Sequence, residues 1–254
     1  MDTEQQKRYA RQIALPGIGP EGQEKLLAAR VLIIGMGGLG SPAAIYLATA
    51  GVGHLVLSDY DRVELSNLQR QIVHNTQDIG ELKVASARQH LQLLNPDLKI
   101  TTLDYQLVDE ELHSQIQQAD VVLDCSDNFS TRFAINRVCV KTGTPLVSGA
   151  AIGFEGQISV FLPDQADSPC YHCIYQDNGQ EGDSCSQLGI LAPLVGVIGS
   201  MQAVEALKLL LGIGDKLCGR LLLLDGLHMD WRTLKVRRDP KCAVCGQVSH
   251  ENTV

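Results

Sequence analysis

Residues 30 to 61, RVLIIGMGGLGSPAAIYLATAGVGHLVLSDYD, constrain the fold most: a continuous apolar run, a glycine cluster, an Ala-rich helical stretch and a second apolar run ending in acid. That succession is a βαβ unit. Ser41 and Pro42 stand where the N-cap and the first residue of its helix belong. The turn Gly35-Met36-Gly37-Gly38-Leu39-Gly40 lets the backbone come close to a phosphate and aims the first N–H groups of the helix at it. Asp59, at the end of the second strand, is placed to accept hydrogen bonds from ribose hydroxyls. By itself this pattern suits a nicotinamide dinucleotide as well as ATP.

Further strands are expected at Lys99 to Leu103, Asp120 to Cys125 and Pro145 to Gly149, with helices at about 82 to 94, 109 to 117 and 130 to 142 between them. Strands alternating with helices mean a mostly parallel, doubly wound, Rossmann-like α/β sheet. After Ala150 the rhythm changes. Gly156 to Leu162, Arg220 to Asp225 and Trp231 to Arg237 read as strands without crossover helices, so a mixed sheet with a C-terminal β extension is expected. The chain of 254 residues is long enough for one substantial core. It reads as a single domain: an N-terminal helical arm over 1–29, a nucleotide-binding core over 30–162, a mobile polar loop over 163–187, and a helix, strands and metal-binding tail over 188–254.

A formal net charge of -8 and a pI near 5.3 exclude a protein-wide basic surface, so neither nucleic acid nor an anionic membrane is an expected partner. The polar start MDTEQQKRYARQ has no apolar signal core, which implies a cytoplasmic protein. The apolar run from Leu188 to Met201, about 14 residues, is short of the roughly 20 that cross a bilayer. It reads as a buried helix at a subunit interface.

Two cations follow the βαβ unit, Arg70 within SNLQRQ and Lys83 about one turn into the next helix. A dinucleotide's pyrophosphate is served mainly by backbone amides, whereas a triphosphate calls for Arg, Lys and a metal. Taken singly, each could be a solvated surface charge. Asp124, Asp127 and Asn128 cluster at the end of the strand DVVLDC, on the sheet edge where open α/β folds bind ligands. A carboxylate there suits Mg²⁺ between phosphates, and Asp127 or Asn128 equally suits the cap of the following helix.

Eight cysteines in a chain of this kind argue for metal binding or reactive thiols. Cys170 with Cys173 and Cys242 with Cys245 are two CxxC pairs, which together offer four thiolates to zinc and tie the start of the loop to the C-terminal tail. The alternative is redox dithiols. Cys125 and Cys139 read as small core residues, while Cys185, in the polar segment GDSCS, could attack an activated acyl group or carry sulfur. An idle loop cysteine is the competing reading.

In order and spacing, RYARQ, GMGGLG, DYD, SNLQRQ, Lys83, DCSDN, the two CxxC pairs and APLVGVIGSMQAVEALKLL resemble the MoeB/ThiF family, relatives of ubiquitin-activating enzymes, over about residues 8 to 246. The resemblance implies adenylation, with ATP, of the C-terminal glycine of a ubiquitin-like sulfur-carrier protein ending in Gly-Gly, ahead of thiocarboxylate formation with a sulfur-donor protein. It also implies site residues. Gly35, Gly37, Gly38, Gly40, Asp59, Asp61, Ser66, Asn67, Arg70, Lys83, Asp127 and Asn128 would hold the nucleotide, Asp127 would bind Mg²⁺, and Arg11 would reach the γ-phosphate in the other subunit of a homodimer. Cys185 matches the family's acyl-carrying cysteine in kind and region. LDGLHMDWRTLKVRR is more similar to the thiamine-thiazole branch, ThiF, whereas SGAAIGFEGQISVF and APLVGVIGSMQA are equally similar to the molybdopterin branch, MoeB. Outside the family, an NAD-dependent oxidoreductase and a zinc-stabilised scaffold that binds such a carrier without catalysis remain as rivals.

Overall fold

The computed structural model describes residues 1–177 and 189–246. Among the described residues one sheet organises the chain. Its strands are β1 (Arg30–Ile34), β2 (His54–Ser58), β3 (Lys99–Leu103), β4 (Val121–Asp124), β5 (Leu146–Ile152), β6 (Glu155–Phe161), β7 (Arg220–Asp225) and β8 (Asp230–Lys235). They lie in the order β3-β2-β1-β4-β5-β6-β7-β8. The pairs from β3 to β5 are parallel and those from β5 to β8 antiparallel. The mixed sheet with a C-terminal β extension is therefore as expected.

The helices are α1 (Thr3–Arg8), α2 (Ala10–Ile13), α3 (Gly19–Ala28), α4 (Gly40–Thr49), α5 (Lys83–Leu94), α6 (Asp109–Gln117), α7 (Phe129–Thr142) and α8 (Ala192–Leu211). Two layers of core separate them from the sheet. On one face Val31, Ile33, Leu55 and Leu57 pack with α4, α5 and α8; on the other Leu32, Val56 and Val122 pack with α6 and α7. Burial on both faces explains why β1, β2 and β4 read as largely apolar runs, while the edge strand β3, KITTL, does not.

Three local expectations are corrected. α4 begins at Gly40 with Leu39 as its cap residue, and the Ser41 hydroxyl donates to Gly37 O (2.7 Å) instead of capping an N–H. Lys83 is the first residue of α5, not one turn inside it. α8 runs to 20 residues, which by length and composition is enough to cross a membrane, yet half of its most apolar stretch is buried in the protein. Its polar side chains are internal ties: Gln202 Nε2 donates to Asp124 O (2.8 Å) and Val147 O (3.3 Å), and Glu205 accepts from Leu217 N (2.9 Å) and Lys208. Burial of such groups is tolerated because each is paired.

The segment expected to be a mobile loop is packed in its first part. Ser168, Cys170 and Tyr171 are buried, and the Tyr171 ring meets Phe133 edge-on at 5.4 Å. Asn136 on α7 accepts from Tyr171 N (2.8 Å). The N-terminal arm is docked likewise, with Gln12 and Gln23 both donating to Ala50 O.

Candidate nucleotide-binding site and cysteine cluster

A cleft of about 680 Å³ opens at the carboxyl ends of the parallel strands, where the strand order reverses between β1 and β4. Ligands of open α/β sheets bind at this switch point. Gly35, Gly37, Gly38, Asp59, Asp61, Arg70, Lys83, Asp127 and Asn128 all line it. Gly40, Ser66 and Asn67 do not. Gly40 is a packing glycine, since a Cβ there would stand 1.9 Å from Gly35 O. Gly35 has φ +96°, a left-handed backbone that only glycine adopts without strain, and a Cβ on it would strike Cys125 O at 2.6 Å. Asn67 Oδ1 accepts from Glu64 N (3.2 Å), and Ser66 O accepts from the Arg70 guanidinium (3.1 Å), so both residues shape the turn that presents Arg70.

Asp59 is already engaged within the protein. One oxygen accepts from Met36 N in the glycine turn (2.7 Å), the other from Asp61 N (2.9 Å), so the acid braces the glycine turn. Burial pushes its carboxyl above the ordinary range, against the pull of Lys83. Lys83 Nζ lies 2.8 Å from Asp61 Oδ2 and 4.0 Å from Asp59 Oδ2. Below the turn, His74 Nε2 donates to Met36 O (3.2 Å) while Nδ1 sits 2.8 Å from Ser86 Oγ, and the Ser86 hydroxyl donates to Asp78 (2.9 Å). This buried chain ties the start of α5, with Lys83, to the glycine turn. Sequence reasoning missed it, although His74 and Asp78 flank the motif.

The acids at the end of β4 divide their labour. Asp124 is buried, accepts from the Ser126 and Ser148 hydroxyls (2.6 and 2.8 Å), and pairs with Arg132 at 3.7 Å, so it faces the interior and cannot serve a metal in the cleft. Asn128 caps α7 through Thr131 N (2.9 Å). Asp127 alone of the three is exposed, and it lines the cleft. Arg132, also unforeseen, donates to Ser126 O and to Gly149 O (3.0 Å) and so fixes the turn that carries Asp127. Beyond the glycine turn the cleft continues to Glu155, Asp225, Asp230 and Arg232 on β6, β7 and β8. Arg11 lies on α2, exposed, and is not among the residues lining the cleft of its own chain.

Behind α7 the Sγ atoms of Cys170, Cys173, Cys242 and Cys245 all lie within 4.8 Å of one another. Cys170 is 3.7 Å from Cys242 and 4.0 Å from Cys173, and Cys173 is 3.5 Å from Cys245. A tetrahedral zinc with Zn–S bonds of about 2.3 Å sets adjacent sulfurs about 3.8 Å apart, so the cluster fits the ion. Four sulfurs so close cannot all be thiolates unless a cation lies among them. The hydrogen bond from Cys170 lowers the Cys173 thiol while raising that of Cys170. Asn136 Nδ2, Asp239 N and Cys170 N each point at a sulfur at 3.5 to 3.6 Å, the donors such a site uses to hold its ligands. Cys125 and Cys139 are buried core residues whose thiols burial holds far above the ordinary range. Cys185 lies outside the described residues.

Fold and cleft together define an α/β protein in which a glycine turn, Arg70, Lys83 and Asp127 line one cleft at the switch point of the sheet. The chain belongs to the ThiF family, which it matches over residues 9–244. It is 50% identical over 239 residues to the sulfur carrier protein ThiS adenylyltransferase of Escherichia coli (strain K12), covering 94% of each chain. It is 47% identical over 247 residues to the molybdopterin-synthase adenylyltransferase of the same organism, covering 97% of this chain and 99% of the relative. The crystal structure of E. coli MccB with ATP shares the fold, with a TM-score of 0.80 at 22% identity over 94% of this chain and 73% of that one.

Proposed function

We propose that the protein adenylates the C-terminal carboxylate of a small ubiquitin-like sulfur-carrier protein. A carboxylate oxygen attacks the α-phosphorus of ATP, the bond from that phosphorus to the bridging oxygen breaks, and pyrophosphate leaves an acyl-adenylate. The observation that carries this reading is the convergence of the glycine turn, Arg70, Lys83 and Asp127 on one cleft. These are charges aimed at phosphates, where such a reaction needs its stabilisation. The match to the ThiF family over residues 9–244 disfavours the dehydrogenase rival. Magnesium held by Asp127 would neutralise phosphate charge, and zinc held by the four cysteines would tie the tail to the core. The extension of the cleft along β6 to β8 offers an extended Gly-Gly tail a path to the nucleotide.

Identity to the ThiS adenylyltransferase of E. coli, slightly above that to the molybdopterin-synthase enzyme, favours the thiamine-type carrier. Comparing kcat/KM for pyrophosphate exchange with a thiamine-type carrier and with the small subunit of molybdopterin synthase decides between them. A preference of tenfold or more for the latter reverses the choice.

A homodimer is part of the proposal. Tyr46 on α4 and Val197 and Val204 on α8 are exposed apolar residues on two helices that pack together, as a subunit interface requires. Arg11 would then enter the partner's cleft. Mixing Arg11→Ala chains with Lys83→Ala chains is expected to restore part of the activity that each lacks, because one site of the mixed dimer holds both groups. No recovery after demonstrated subunit exchange places Arg11 outside the partner's chemistry. For Cys185 the expected result is near-normal exchange in Cys185→Ser but impaired thiocarboxylate formation with a protein sulfur donor, since a thiol acts only once the adenylate exists. Full-rate thiocarboxylate formation by that variant removes Cys185 from the reaction.

A further inference from the structure

Two carbonyls of the glycine turn are held from behind. Met36 is fully buried, and among the described residues its carbonyl oxygen accepts only from His74 Nε2, at 3.2 Å. The next carbonyl, Gly37 O, accepts from Ser41 N (3.0 Å) and from the Ser41 hydroxyl (2.7 Å). A trans peptide sets its C=O and N–H on opposite sides, and the described residues contain no cis bond. Met36 O turned toward His74 therefore aims the Gly37 N–H the other way, and Gly37 O turned toward α4 does the same for the Gly38 N–H. Neither Met36 nor His74 lines the cleft, whereas Gly37 and Gly38 do, so both N–H groups are turned to the cleft side. Among the described residues neither donates to any group.

The peptide between Met36 and Gly37 needs such a restraint. Rotating it changes φ of Gly37, and glycine, without a Cβ, accepts φ of either sign. What resists the rotation is the hydrogen bond to the buried Met36 oxygen, which would be left unpaired. The His74 ring is itself fixed. It is buried, its Nδ1 lies 2.8 Å from Ser86 Oγ, and Ser86 Oγ lies 2.9 Å from Asp78 Oδ2, which also accepts from Asn75 N (2.7 Å). A carbonyl oxygen only accepts, so the ring presents its Nε2–H to Met36. We propose that His74 is a positioning residue which, through the Met36 carbonyl, keeps the Gly37 N–H aimed at a phosphate oxygen of the nucleotide. Successive N–H groups presented in this way form a concavity that binds anions. His74 touches no ligand. The inference rests on the adenylation reading, in which ATP occupies this cleft, and names a group outside the cleft that sets phosphate affinity.

His74→Gln keeps an N–H at about the reach of the imidazole Nε2, whereas His74→Met has similar length and no donor. Calorimetric titration with MgATP, at a temperature where circular dichroism shows both variants folded, reads the difference. The expected Kd lies within about threefold of wild type for His74→Gln and is at least about tenfold weaker for His74→Met, the cost of one hydrogen bond to a charged oxygen. Adenosine, which carries no phosphate, should bind both variants as it binds wild type. A merely structural role would weaken ATP and adenosine together and would not be restored by glutamine. Equal MgATP affinity in all three proteins, or a parallel loss for ATP and adenosine, overturns the proposal. If His74→Met does not fold, wild-type protein and His74→Gln carrying isotope-labelled glycine decide by magnetic resonance. In both, the Gly37 amide proton is expected to move downfield on saturation with MgATP but not with adenosine, and an unmoved Gly37 amide overturns the proposal. MgATP binding without carrier-dependent exchange in the wild-type protein would defeat the adenylation reading and leave the result for His74 standing.

Discussion

Asp127→Ala and Arg70→Ala are each expected to lower carrier-dependent pyrophosphate exchange by about 10² to 10³ while leaving the fold intact. The size follows from removing a charge aimed at the phosphates on which negative charge develops. The intact fold follows from how little each side chain does in the free protein. Among the described residues Asp127 is exposed and meets Asn128 Nδ2 at 3.5 Å, and the Arg70 guanidinium donates to Ser66 O. Neither reaches the core. Asp124, three residues earlier, would be a poor test, because its buried carboxylate holds two serines and Arg132 and its loss would damage the fold itself. Circular dichroism and the thermal midpoint check the fold of both variants. Normal exchange in either folded variant removes that residue from the chemistry.

The second large effect concerns the cysteine cluster. One zinc per chain is expected, and Cys242→Ser should release it and lower the thermal midpoint by at least about 6 to 12 °C, taking loss of the ion as about 3 kcal/mol or more. The reason is topological. Cys170 and Cys173 follow β6, whereas Cys242 and Cys245 follow β8, so the ion would join two segments distant along the chain. The small apolar cluster around the four sulfurs holds only Val140, with Val244 packed against it. Metal analysis of freshly purified protein, with a chelator-dependent loss of stability, checks the claim. Protein with no zinc and an unchanged midpoint in Cys242→Ser would overturn it.

The parallel half of the sheet was legible because strands buried on both faces must be unbroken apolar runs, as in VLII and HLVLS. Helix starts were not. Ser41 looked like a cap by type, but capping is decided by backbone angles, and its hydroxyl turns back to Gly37 O. The length of α8 was underestimated because Gln202 and Glu205 read as the polar end of a buried stretch, while the folded chain supplies each with a distant partner. The site divided along the same line. Residues in motifs, such as Arg70, Lys83 and Asp127, reach the cleft as the motifs imply. Glu155 is brought beside the Asp225–Arg232 hairpin by the pairing of β6 with β7, distant in sequence, for which no local pattern exists. Ser66 and Asn67 lie inside a motif yet do not line the cleft, and their side chains bond to Glu64 within the turn that carries Arg70.

The central claim is that this cleft joins AMP to a carboxylate. Exchange of labelled pyrophosphate into ATP, run with and without a carrier ending in Gly-Gly, tests it most directly, because label returns to ATP only if an adenylate forms reversibly. The account requires exchange that depends on the carrier and on Mg²⁺, and that vanishes when the last glycine of the carrier is removed. Exchange that proceeds equally without any carrier, or none with either candidate carrier in folded, zinc-loaded protein, would contradict it.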